Sequence, residues 1–128
     1  MLRLLAAALL LAANPAMADE DFEPVNRAFS DAVTDYGHFY GREKVCGNTR
    51  DPLYIRLKIQ NKMAEITGVD PVDVLKALDD AERFGDLVWG LLPCESDLTR
   101  KSNRQVIEEK LDALYKAVSK YNSKRYSY

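Results

Sequence analysis

Two Asp-Pro pairs, Asp51-Pro52 and Asp70-Pro71, constrain this chain more than any other feature of its sequence. An aspartate carboxylate accepts the free N–H groups of a helix's first turn, and a proline just behind it has its φ preset for helix and loses no needed hydrogen bond. Each pair therefore predicts a helix start. From the first, Leu53, Leu57, Ile59, Met63 and Ile66 mark out a helix that Gly68 stops. From the second, the apolar face is Val74 or Leu75, Leu78, Ala81, Leu87 or Val88, and Leu91 or Leu92, with Phe84 and Trp89 adding large surface and Pro93 closing the run. Only a few residues around Val69 separate the two helices, so they are expected to lie antiparallel as a hairpin.

The cysteines extend this reading. Cys46 stands just before the first of these helices and Cys94 two residues past Leu92. An antiparallel hairpin brings those points together, which predicts an intramolecular disulfide across its open end; two free thiols or intermolecular bridges are the alternatives. On the chain-entropy model, closing a loop of this length stabilises a fold by roughly 4 kcal/mol.

Two further helices flank the hairpin. Between Phe22 and Tyr40 apolar residues recur every three or four positions: Phe22, Val25, Phe29, Ala32 or Val33, Tyr36, and Phe39 or Tyr40. Pro24 sits near the start, Gly37 or Gly41 is expected to mark the end, and residues 41–50 are expected to form a loop. Ser102 and Gln105 fit a capping box for a fourth helix running to about Tyr121, with Val106 or Ile107, Leu111, Leu114 or Tyr115, and Val118 facing inward. Its early acids, Glu108, Glu109 and Asp112, and late bases, Lys116 and Lys120, suit the helix dipole. No alternating strand pattern of useful length occurs. The predicted fold is all-α, a small bundle of about four helices with a disulfide-clamped central helical hairpin.

Residues 1–18 read as a cleavable signal peptide. Arg3 supplies the positive charge, Leu4 to Ala13 the apolar run, and Ala16-Met17-Ala18 the small-residue cleavage site. The run is shorter than the roughly 20 residues that span a bilayer, so no transmembrane anchor is expected. Residues 19–128 are then one domain, too short for two cores, with a short flexible basic and aromatic tail at 122–128. The whole chain carries a net charge of −2, and losing Arg3 takes it to −3. A nucleic-acid binder would carry a clear basic excess, so none is expected as a partner. Export into the periplasm, or full secretion, is the expected location, where a disulfide persists.

Catalytic chemistry finds little support in these residues. His38 is the one histidine, and it lies in an aromatic stretch where packing is the simpler role. The cysteines have no C-x-x-C spacing, and the acids of the second hairpin helix, Asp70, Asp73, Asp79, Asp80, Glu82 and Asp86, are splayed by the helix and not gathered by a calcium loop. No metal and no cofactor are expected. The candidate contact residues are Tyr36, His38, Phe39 and Tyr40 at the end of the first helix, with Lys124, Arg125, Tyr126 and Tyr128 in the tail. The tail's mix of cations and rings suits a protein surface or peripheral contact with an anionic membrane. The sequence thus points to a non-catalytic exported protein that binds another protein, as an immunity, adaptor or chaperone-like factor. The alternative is a carrier of a small apolar ligand in an aromatic cavity between helices. A binder should expose an apolar patch, and a carrier should enclose a cavity of roughly 300 Å³ or more.

Overall fold

The computed structural model describes residues 20–125. The predicted signal peptide, and Tyr126 and Tyr128 of the tail, lie outside the described residues. A single 3-10 turn, Glu20–Phe22, leads into four helices: α1 (Glu23–Lys44), α2 (Arg50–Met63), α3 (Pro71–Trp89) and α4 (Asp97–Arg125). No strand occurs among the described residues. The long α1 is the centre of the bundle, with α3 and α4 packed along it and α2 laid across the remaining side. Its buried residues Val25, Phe29, Ala32, Val33, Tyr36 and Phe39 follow the predicted period.

Neither Gly37 nor Gly41 ends α1, which continues to Lys44 and turns at Gly47, whose φ of 78° suits glycine. The two glycines have another use. A Cβ on Gly37 would lie 2.6 Å from the Ala81 carbonyl oxygen of α3, one on Gly41 would strike the Gly85 carbonyl, and one on Gly85 would strike the Gly37 carbonyl. Small residues on both helices let the α1 and α3 backbones touch. Each glycine inside a helix carries a propensity penalty of about 1 kcal/mol, and the close packing along that contact acts against it.

The hairpin forms as expected, and Asp70 caps α3 by accepting the Val72 N–H at 2.9 Å, with Pro71 in the first turn. At α2 the expectation is corrected in two respects. The helix begins one residue before Asp51, whose N–H is instead taken by the Asn48 side chain at 3.3 Å. It also ends at Met63, ahead of Gly68, and its buried face is Pro52, Ile55, Ile59 and Met63, leaving Leu53 and Leu57 exposed. The Cys46–Cys94 disulfide closes the open end of the hairpin, with the two Cα atoms 4.9 Å apart.

Helix α4 starts five residues before the predicted capping box. Ser96 is the capping side chain, its hydroxyl accepting the Thr99 N–H at 3.3 Å, and Ser102 is an exposed residue within the helix. The helix also runs past Tyr121 to Arg125, so residues 122–125 are its last turn and not a loose tail. Tyr121 is buried edge-on against Phe22 at 5.3 Å, Asn122 donates to the Glu65 carbonyl, and Lys124 approaches Asp21 at 3.7 Å.

Replacing Gly85 with alanine should cost about 1–3 kcal/mol by forcing α1 and α3 apart, which in a domain of this size lowers the Tm by roughly 4–8 °C per kcal/mol in thermal unfolding. Replacing both cysteines with serine should cost about 4 kcal/mol in urea unfolding with the helical circular dichroism of the folded state retained.

Candidate functional site

The predicted contact residues of α1 do not form one surface. Successive residues of a helix point about 100° apart, so Tyr36 and Tyr40, with ring centroids 6.1 Å apart, share one side of α1 while His38 and Phe39 point elsewhere. Tyr36 is buried; its hydroxyl donates to Glu82 at 2.6 Å beside Arg56, which binds both Glu82 and Asp79 of α3. Burial and the bond to Glu82 push this phenol far above its usual pKa, so it stays neutral. Phe39 is also buried, at the floor of a groove between α2 and α4. Tyr40 is half-buried under the Lys44 ammonium. Tyr36 and Phe39 are thus core residues.

His38 lies half-buried between α1 and α3. The Trp89 indole N–H donates to His38 Nδ1 at 2.9 Å, the imidazole meets the Phe84 and Trp89 rings edge-on, and the Arg42 guanidinium lies 4.2 Å over Trp89. Accepting that bond fixes the imidazole as the neutral tautomer with its proton on Nε2. Desolvation lowers the His38 pKa from its ordinary value, and Arg42 lowers it further against the opposing pull of Asp35.

Around Trp89, from the end of α3 to the start of α4, the chain carries a run of exposed apolar side chains, the apolar lobe. Leu87, Leu91 and Leu98 are 80%, 102% and 78% exposed, and Val88 and Leu92 are partly exposed beside them. The expectation that Leu87 or Val88 and Leu91 or Leu92 face the core fails because the stripe of α3 on α1 is Val74, Ala77, Leu78, Ala81 and Gly85. Leu87, two residues past Gly85, is rotated about 200° away from α1.

The lobe is anchored by a polar seam as well as by the disulfide. Glu43, fully buried at the end of α1, accepts both Nε and Nη2 of Arg100 and the side-chain amide of Asn48. Asn48 also reaches Asp51, which pairs with Arg104, and Arg42 reaches Asn103 and Glu95. Burial by itself would raise the Glu43 carboxyl, but the hydrogen bonds from Arg100 and Asn48 overcome it and hold the pKa below its ordinary value. Five of the six acids singled out on the second hairpin helix are likewise engaged: Asp79 and Glu82 by Arg56, Asp80 by Arg83, Asp86 by Lys44 and Asp70 by the helix start. Among the described residues, no three His, Cys, Asp or Glu side chains gather as metal ligands would.

A groove lies between α2 and α4. It has a volume of about 500 Å³, with Phe39, Ile55 and Leu111 as floor and Tyr54 and Tyr115 as walls, and it is open to solvent. The Lys58 ammonium lies 4.6 Å over the Tyr54 ring. Of the predicted tail residues, Arg125 donates to the Tyr121 hydroxyl at 2.9 Å, and Lys124 is the one near Asp21. No described helix is long and apolar enough to cross a membrane. No protein-family model, curated protein or solved structure matches this chain.

Glu43→Gln should destabilise the fold by about 2–3 kcal/mol, less than breaking a fully buried pair would, because Arg100 remains 26% exposed. A carboxylate whose folded pKa is depressed stabilises the fold in full above its unfolded value of 4.5 and loses that contribution as pH falls through the folded value. Urea unfolding between neutral pH and about pH 3 should therefore show a shallower acid limb in Glu43→Gln than in the wild type.

Proposed function

We propose that this is an exported, non-catalytic helical protein that acts in the periplasm by binding another protein, as an immunity, adaptor or chaperone-like factor. The observation that carries the reading is the apolar lobe of Leu87, Val88, Leu91, Leu92 and Leu98. Burying one leucine side chain is worth about 1.5–3 kcal/mol, so several together at a partner's surface supply the apolar centre of an interface. Their setting supports the same reading. The disulfide, the Glu43–Arg100 pair and the Trp89 seat hold the segment that carries them, and a pre-ordered surface loses less entropy on binding. The disulfide is compatible with an oxidising compartment outside the cytoplasm.

The groove between α2 and α4 favours a second reading, a carrier for a small apolar ligand. Its size falls within the roughly 300–1,000 Å³ of ligand pockets, and its floor is apolar. It is an open trough and not an enclosed chamber, which places it behind the lobe.

The oxidised protein from Asp19 onward, used as bait on a cell-envelope extract, should capture one stoichiometric protein. The Leu87→Glu/Leu91→Glu double variant should bind it at least tenfold more weakly, about 1.4 kcal/mol, with unchanged thermal stability, whereas Tyr54→Ala in the groove wall should bind it as the wild type does. Equal capture by the double variant would remove the lobe as the docking surface. Loss of binding in Tyr54→Ala alone would move the site to the groove, and no captured protein at all would end the protein-binding reading.

A further inference from the structure

We propose that His38 is a proton-sensitive latch: its neutral Nδ1 seats Trp89, and protonation releases the Trp89 ring and the end of α3 so that the ring joins the apolar lobe. Only the regulatory meaning of this rests on the lobe being the docking surface; the latch itself does not.

The geometry leaves His38 no neutral alternative for its role. Trp89 Nε1 can only donate, and at 2.9 Å it requires an unprotonated Nδ1. Adding a proton there sets two N–H groups against each other in a half-buried site and places a second cation beside Arg42, which already covers the Trp89 ring at 4.2 Å. The charged groups around the imidazole oppose any easy accommodation. On α1 they are Arg42, which is cationic and held by Glu95 and Asn103 near the α4 start, and Asp35. Asp35 is itself pushed toward its neutral form by burial and by the like charge of Asp31, against the pull of Lys110 of α4. From α3 the imidazole meets only rings, Phe84 and Trp89. No fresh anion waits to receive the imidazolium.

Trp89 is the last residue of α3, and Leu87, Val88, Leu91 and Leu92 flank it in sequence. Losing its seat removes the half-buried tie of this turn to α1 beyond the Gly85 crossing and leaves the exposed Lys44–Asp86 ion pair, 3.0 Å, as the other. Cys94, bonded to Cys46, then limits how far the segment travels. The result is a hinged apolar lobe enlarged by one indole, and not an unfolded chain. A histidine whose folded pKa lies below its unfolded value binds its proton more readily when unfolded. The stability that the seat supplies is therefore complete above the ordinary value of 6.5 and declines as pH falls from there through the folded value.

Trp89 and His38 are the chain's one tryptophan and one histidine, so the intrinsic emission of the oxidised wild-type protein reads the latch directly. Titration from neutral pH to about pH 4 should show a one-proton fall and red shift of emission, with a midpoint below 6.5 and helical circular dichroism unchanged. His38→Gln, which keeps an acceptor but does not titrate, should remove the transition. Asp35→Asn, which takes away the anion that favours the imidazolium, should move it to lower pH. A flat wild-type titration overturns the proposal. So does the same transition in His38→Gln, or its disappearance in Asp35→Asn, which would make the carboxyl the sensor. If His38→Gln does not fold, the direction of the Asp35→Asn shift decides. Capture of the protein partner on either side of the transition tests the regulation. Tighter capture on the acid side, lost in Leu87→Glu/Leu91→Glu, supports it; equal capture on both sides overturns it. An intact emission change with capture unaffected by the double variant leaves the latch standing and removes the lobe reading.

Discussion

The backbone contact between α1 and α3 sets the geometry of everything else in this molecule. With Gly37 and Gly41 on one helix and Ala81 and Gly85 on the other, no side chain larger than a methyl separates these residues where the helices cross. Close approach multiplies the number of atoms in van der Waals contact on either side of the crossing, where each pair is worth only about 0.1–0.2 kcal/mol. It also fixes the rotation of α3 about its own axis, because only one face of that helix is bare enough to fit. Once that rotation is set, Tyr36 meets Glu82, His38 meets Trp89, and Arg56 on α2 reaches down to Asp79 and Glu82.

The other end of the crossing is held differently. Near the disulfide the core thins, and the contacts there are polar: Glu43 with Arg100 and Asn48, Asp51 with Arg104, Arg42 with Glu95. Pairs of this kind contribute modestly to net stability, since desolvation cancels much of the attraction. Their geometry is directional, however, and a buried carboxylate that accepts three hydrogen bonds tolerates little displacement. The seam therefore fixes the register between the end of α1, the start of α2 and the start of α4, while the covalent bond limits separation. Apolar packing at one end and directional polar contacts at the other divide the work of stability and position.

Much of this was legible in the residues. The four helices, the hairpin, the Asp70 cap and the Cys46–Cys94 bond follow from periodicity, Asp-Pro signals and antiparallel geometry, because each depends on neighbours in sequence or on one topological step. What sequence patterning misjudged depends on partners distant in the chain. Gly37 and Gly41 look like stops until Ala81 and Gly85 are seen against them. Tyr36 and Phe39 fit the inward period of α1 and also read as contact residues, and only Glu82 on α3 and the groove floor between α2 and α4 show that the core takes both. Ser96 lacks the glutamine that completes the capping box of Ser102, and the earlier start governs because Arg100 and Asn103 must be helical to reach Glu43, Arg42 and Glu95. The buried role of Glu43 had no local signal, since nothing near it in sequence names Arg100 as its partner.

The exposure of the lobe follows from the same crossing. Turning α3 by the half-turn needed to bury Leu87 would carry Ala81 and Gly85 away from α1 and drive larger side chains into the gap. The fold therefore cannot relieve these leucines by adjustment. Nor does it need them, because a side chain as exposed as Leu91 makes almost no contact within its own chain. A polar residue at either position would leave the core, the disulfide and the seam as they are while lowering the tendency to self-associate. The apolar character of Leu87, Leu91 and Leu98 thus contributes nothing to the packing that holds the fold together.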